Sequence, residues 1–85
     1  MNEKDFVAFC RKAVMEHVNE EIHKSDPVTE EEVYVVWLTK VLQNNKALLG
    51  TTRPDGLYYE VTYDGDKKIA YVDEYIKVAQ RVVVM

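Results

Sequence analysis

The sequence predicts an α+β fold: an N-terminal amphipathic helix, a three- to four-stranded antiparallel β-meander, and a C-terminal helix packed on one sheet face. Three observations carry this. Apolar residues recur at helical spacing from Phe6 to Ile22. Leu57-Tyr58-Tyr59-Glu60-Val61-Thr62-Tyr63 alternates with a period of two and is rich in aromatic and β-branched residues. After Asp73, the residues Tyr75, Val78, Ala79 and Val82 again share one helical side.

The first helix is expected over about residues 3–23. Phe6, Phe9, Cys10, Ala13, Val14, His17, Val18 and Ile22 follow the i, i+3, i+4, i+7 rule. Asn2 suits its N-cap, and Glu3 and Asp5 suit the positive end of its dipole. Ser25-Asp26-Pro27 ends it, because Pro cannot continue the hydrogen bonding. Thr29-Glu30-Glu31-Glu32 has the form of a capped helix start, yet Val33-Tyr34-Val35-Val36-Trp37-Leu38 follows and is β-prone. The acidic run therefore reads as a loop or one helical turn before the first strand.

Val33–Leu42 carries apolar residues on both faces, as a doubly covered strand would. Val33, Val36, Trp37, Lys40 and Val41 also fit helical spacing, so a helix is the competing reading. Gln43-Asn44-Asn45-Lys46 favours the strand, since it can turn the chain back into Ala47–Thr52. Pro54-Asp55-Gly56 and Tyr63-Asp64-Gly65 are read as three-residue hairpin loops, each closed by a Gly at the positive φ such turns require. On that register Leu49 faces Val61, Thr51 faces Tyr59, Tyr59 faces Ile69 and Leu57 faces Tyr71. Leu49, Leu57, Tyr59, Val61, Ile69 and Tyr71 are then expected on the buried face. Lys67–Val72 reads as the fourth strand, with Asp73 capping a helix of about Glu74–Val83. Val82-Val83-Val84-Met85 suits either the last turn of that helix or a short strand.

The 85 residues bound the chain to one domain with a modest core, and 47% apolar residues argue against disorder. No apolar run is long enough to span a membrane, and Met-Asn-Glu-Lys-Asp lacks a signal-peptide pattern. The single Cys10 fits a reducing cytosol, so a cytoplasmic location is expected. The net charge of −4 is concentrated early. Residues 1–32 hold nine acids and four bases, whereas residues 33–85 hold six and seven. An acidic first half repels a phosphate backbone and suits either solvent or a basic partner.

No pattern for catalysis or metal binding stands out. His17 with Glu21, and Glu20 with His23, have ligand-like spacing on one helix, but further ligands from other helices would be required. Cys10 lies on the apolar helix face and reads as a small hydrophobe. The three glycines form no phosphate-binding loop. No cofactor, metal or catalytic residue is expected. The outer strand face, with Tyr58 and Glu60 joined by Tyr34 or Trp37, is the candidate contact surface. Its bland alternative is cross-strand packing that steadies the sheet. The helix–strands–helix order is similar to the double-stranded RNA-binding domain, with Lys67 and Lys68 near that domain's basic position. The acidic first helix, with Glu3, Asp5, Glu16, Glu20 and Glu21, argues against RNA.

The segments Val33-Tyr34-Val35-Val36-Trp37, Leu42-Gln43-Asn44-Asn45-Lys46-Ala47-Leu48-Leu49, Asp55-Gly56-Leu57-Tyr58-Tyr59-Glu60-Val61-Thr62-Tyr63 and Gly65-Asp66-Lys67-Lys68 carry a resemblance. It is to an uncharacterised family of small proteins encoded by phages and prophages of low-GC Gram-positive bacteria. The resemblance covers nearly the whole chain and implies a small accessory protein made in the bacterial cytoplasm. It transfers no catalytic or binding residues. Its apolar end, Val82 to Met85, departs from what the family leads one to expect.

The expected function is therefore a non-enzymatic interaction with a host or phage protein, with self-association into a homo-oligomer as a further expectation. The candidate residues are Tyr34, Trp37, Tyr58, Glu60, Lys67 and Lys68. The alternative is a small nucleic-acid-binding domain using Tyr58 with Lys67, Lys68 and Arg53.

Overall fold

The computed structural model describes residues 1–85. One helix, α1 (Glu3–Glu21), leads through a 3-10 turn (Glu30–Glu32) into β1 (Val33–Val41), β2 (Asn44–Thr51), β3 (Leu57–Asp64) and β4 (Ile69–Ile76). The strands pair antiparallel in chain order, and α1 lies on one face of the sheet. The α+β class and the N-terminal helix are present. The C-terminal helix expected over Glu74–Val83 is not. Residues up to Ile76 belong to β4, and residues 77–85 carry neither helix nor strand.

Local chemistry sets the start of the fold as the sequence indicates. Asn2 Oδ1 accepts from the Asp5 N–H at 2.8 Å and caps α1. Thr29 and Glu32 form a capping box around the single 3-10 turn. Arg11 then donates to the carbonyls of Val33 and Glu30, and Asn19 pairs with both main-chain groups of Val28. These bonds seat the connection against α1 and give its polar backbone partners. Phe6, Cys10, Val14 and Val18 from α1 close over Val28, Val33, Ala47, Leu49, Tyr59 and Val61.

β1 explains its own two-sided apolar pattern with a bulge. Val35 pairs with Leu49 and Trp37 with Leu48, so Val36 is an extra residue without a partner. Val33 and Val35 face α1 before the bulge, and Leu38 does so after it. The helical alternative for this stretch is excluded. The following turn is shorter than expected. Val41 pairs with Asn44, leaving only Leu42 and Gln43 in the loop, with Leu42 at φ 55°. Asn44 and Asn45 belong to β2 rather than to the turn, and Asn45 is buried.

Both hairpin registers downstream differ from expectation. Leu49 pairs with Tyr59, and Ala47 with Val61. That is a slip of two residues, which keeps every side chain on its expected face. Its cause is the main-chain bond from Thr52 N–H to the Glu32 carbonyl at 2.9 Å, which draws Thr52 and Arg53 out of the ladder. Tyr59 pairs with Glu74, five residues beyond the expected Ile69, and an odd slip turns β4 over. The turn begins at Asp64, not Tyr63. The Asp64 carbonyl accepts from Lys68 N–H, and its Oδ1 accepts from the N–H groups of Asp66 and Lys67. Lys68, at φ 57°, takes the left-handed position that Gly65 was expected to fill. Ile69 and Tyr71 are consequently exposed on the outer face, and Leu57 is half-buried. Leu49, Tyr59 and Val61 are buried as expected.

A candidate interaction face

With α1 on one side and no second helix, the other face of the sheet is uncovered. The ladder sorts its residues into rows. Tyr34, Gly50, Tyr58 and Tyr75 form one row across all four strands. Trp37, Leu48, Glu60 and Asp73 form the next, and Thr39, Lys46, Thr62 and Tyr71 the third. Gly50 matters for its lack of a side chain. A Cβ there would lie 2.8 Å from the Tyr34 hydroxyl, so the Tyr34 ring lies across the strand in the space a side chain would fill.

The face is aromatic and accessible. Trp37 is 42% exposed, Tyr71 47% and Tyr75 51%, with Val36 and Ile69 in the same range. Exposed aromatics gathered on one face in this way mark a contact surface more often than singly scattered apolar residues do. Its charges are few and partly matched. Lys46 Nζ lies 3.4 Å from Glu60 Oε1, and the Tyr75 hydroxyl donates to the same oxygen at 3.4 Å. The Glu60 charge, then partial burial and the Asp73 charge hold the Tyr75 phenol above its usual range. The face is thus apolar with a weakly acidic centre.

Of the residues expected at this surface, Tyr34, Trp37, Tyr58 and Glu60 come together on it. Lys67 and Lys68 do not join them. They occupy the β3–β4 turn, whereas Tyr58 lies near the opposite end of β3. Arg53, the third base of the nucleic-acid alternative, is engaged elsewhere. Its guanidinium bonds Glu32 at 3.0 Å, Asp26 at 2.6 Å and the Pro27 carbonyl at 3.2 Å. Tyr71, Tyr75 and Ile69 were missed as surface residues. No local pattern signals them: Ile69-Ala70-Tyr71-Val72 is apolar throughout and Asp73-Glu74 breaks any alternation, so their side is set by the β3–β4 turn.

The opposite face holds a smaller polar group. His17 Nε2 lies 2.9 Å from Glu74 Oε1, and His23 Nε2 lies 3.2 Å from Asp55 Oδ2. Each histidine thus pairs with a carboxylate from the sheet side, not with Glu20 or Glu21 of its own helix. The His17 ring meets Tyr59 edge-on at 5.8 Å. Tyr59 Oη is buried and has no hydrogen-bond partner. Burial, followed by the charges of Asp55 and Glu74, pushes its phenol up to about 12. Cys10 is also buried, and burial pushes its thiol up to about 12. No three His, Cys, Asp or Glu side chains gather as metal ligands would, and no helix is long and apolar enough to cross a membrane.

Three surface hollows of about 200–360 Å³ flank these features. They are lined by the β1–β2 end of the outer face, by the exposed edge of α1 at Phe9, and by Leu42 with Lys68. The largest chemically coherent surface remains the aromatic sheet face.

Residues 7–85 match the model of a family of unknown function, DUF6275, and the chain belongs to that family. No curated protein and no solved structure matches it.

Proposed function

We propose that this protein is a non-enzymatic accessory protein that binds another protein through its outer sheet face. The observation that carries the reading is the uncovered aromatic surface of Tyr34, Trp37, Tyr58, Tyr71 and Tyr75. Such residues dominate binding energy when a partner desolvates them, because each brings a large rigid area at small entropic cost. The weakly acidic centre around Glu60 and Asp73 favours a partner with a basic or neutral contact patch. It disfavours nucleic acid, whose recognition needs cations beside the aromatic platform. The resemblance to small phage and prophage proteins of low-GC Gram-positive bacteria supports reading the chain as an accessory protein that acts in the cytoplasm of such a host.

The test is capture from host lysate with the tagged full chain, with and without nuclease. A defined partner retained after nuclease, lost with Trp37→Asp and kept with a Lys67→Glu/Lys68→Glu variant, is expected. Capture that nuclease or the lysine changes abolish would overturn the reading.

A further inference from the structure

We infer that two copies of this chain associate through β4 and the segment that follows it, each copy's residues 78–84 adding as a strand to the partner's β4 edge. β4 is an end strand, so one side of its backbone is unpaired. The other end strand, β1, is interrupted by the Val36 bulge, a feature that discourages strand addition. β4 has a regular, unbroken register along its whole length.

The segment beyond β4 has the character of a strand without a sheet. Lys77 N–H still bonds the Gly56 carbonyl at 2.9 Å, continuing the β3–β4 ladder by one step. Residues 78–85 then make no main-chain hydrogen bond and contain no turn or bend. Val78, Val82, Val83 and Val84 are 71–91% exposed. Four β-branched residues exposed to water without main-chain partners are a poor end state for a chain and a good strand for an open edge.

The backbone fixes which residues can pair. Because Lys77 N–H points towards β3, the even-numbered residues of β4 direct their N–H and C=O groups to the free edge. A two-fold ladder between copies must therefore join even residues to even residues. With the two-fold axis at Lys77, Ile76 pairs with Val78, Glu74 with Gln80, Val72 with Val82 and Ala70 with Val84. On the outer face, Tyr71 meets Val83 and Asp73 meets Arg81. Three of the four ladder pairs are apolar, and the fourth joins Glu74 to Gln80. The Asp73–Arg81 pair is complementary and occurs twice by symmetry, while Lys77 meets its own copy at the axis, an exposed like-charge contact. Centring the axis on Asp73 instead would leave Val82, Val83 and Val84 beyond the partner's β4, without a strand to pair with. The chosen register also uses all of the valines. The two sheets join edge to edge with both helices on one side and both aromatic faces on the other. This association shares Tyr71 and Asp73 with the outer face, but Trp37→Asp acts only on that face and Val82→Pro only on the association, so each can fail without the other.

Sedimentation or light scattering of the full chain over a concentration series tests it. A concentration-dependent dimer is expected. Asp73→Arg sets like charges opposite each other twice and should weaken the dimer by about tenfold. Asp73→Arg combined with Arg81→Asp should restore it. Val82→Pro removes an N–H that the ladder requires and should also dissociate it, with no change in far-ultraviolet circular dichroism of the monomer fold, since residue 82 makes no main-chain bond within one copy. A monomer at every concentration, a dimer indifferent to either single change, or a double variant as weak as Asp73→Arg alone overturns the inference.

Discussion

Tyr59 is the residue that packs most and bonds least. Its ring is fully buried in the core, yet its hydroxyl has no partner. A buried unpaired hydroxyl costs desolvation energy that nothing returns. Tyr59→Phe should therefore stabilise the fold by about 1 kcal/mol in a denaturant titration. A loss of similar size would show that the hydroxyl is bonded in solution. Leu42 poses the opposite problem, an exposed side chain on a strained backbone. At φ 55° its Cβ crowds the following carbonyl, at a cost of about 1–2 kcal/mol relative to a right-handed conformation. Leu42→Asn should raise stability by about 1 kcal/mol, because Asn tolerates that region. An unchanged or lower midpoint would mean that the turn relaxes away from positive φ. Neither residue was legible in the sequence. Tyr59 was rightly placed in the core, but satisfaction of its hydroxyl depends on neighbours from α1 and β4. Leu42 was assigned to a strand because Asn44 and Asn45 looked like better turn residues.

Among the elements, the two hairpin ends of the sheet are fitted to each other. A Cβ on Gly65 would lie 2.3 Å from the Gln43 carbonyl oxygen, so the β3–β4 turn approaches the β1–β2 turn through the space a side chain would occupy. Gly65 N–H donates to Asn44 Oδ1 at 3.2 Å across the same contact. Gly65→Ala should destabilise by about 1–3 kcal/mol, because main chain cannot yield as a side chain does. Thermal or chemical denaturation reads this, and a neutral result would show that the two turns move apart freely. The glycine signal was present in the sequence, but its reason was misjudged as a positive φ. That misjudgement propagated. Once Lys68 rather than Gly65 makes the left-handed turn, β4 starts later, reverses its faces and consumes the residues that looked like a second helix. Asp73 resembles an N-cap in isolation; in the sheet it is paired with Glu60, and strand pairing overrides the local helical preference. α1 was legible almost residue by residue, because its cap, periodicity and stop signal are all local.

At the scale of the whole molecule, the segment between α1 and the sheet is tied down by charge. Arg53, with its bonds to Asp26, Glu32 and Pro27, clamps this connection to the β2–β3 loop. The Arg53 hydrogen bond, then those from Thr29 and Thr52, holds the Glu32 carboxyl below its ordinary value. A depressed folded-state value means that Glu32 stabilises the fold at pH above the ordinary glutamate range. The contribution fades as pH falls through the lowered value. Glu32→Gln should therefore be less stable than the parent at neutral pH, and the two should converge on acidification. Denaturant midpoints across pH check this, and a constant gap would assign the loss to packing instead.

The same scale holds the functional claim. Alternation within β3 placed Tyr58 and Glu60 on one face, with Tyr34 or Trp37 as alternatives beside them; the Val36 bulge, which has no local signal, brings both onto it. The sequence could not add Tyr71 and Tyr75, whose side depends on the loop that sets β4 register. It joined Lys67, Lys68 and Arg53 to that face only by proximity along the chain. The most direct measurement is binding of a captured protein partner to Trp37→Asp and Tyr71→Asp variants, by calorimetry, alongside their stability. Near-parental stability with binding weakened by at least tenfold is expected, since both side chains are exposed and act on the partner. Undiminished binding by both variants would contradict the assignment of this face as the contact surface.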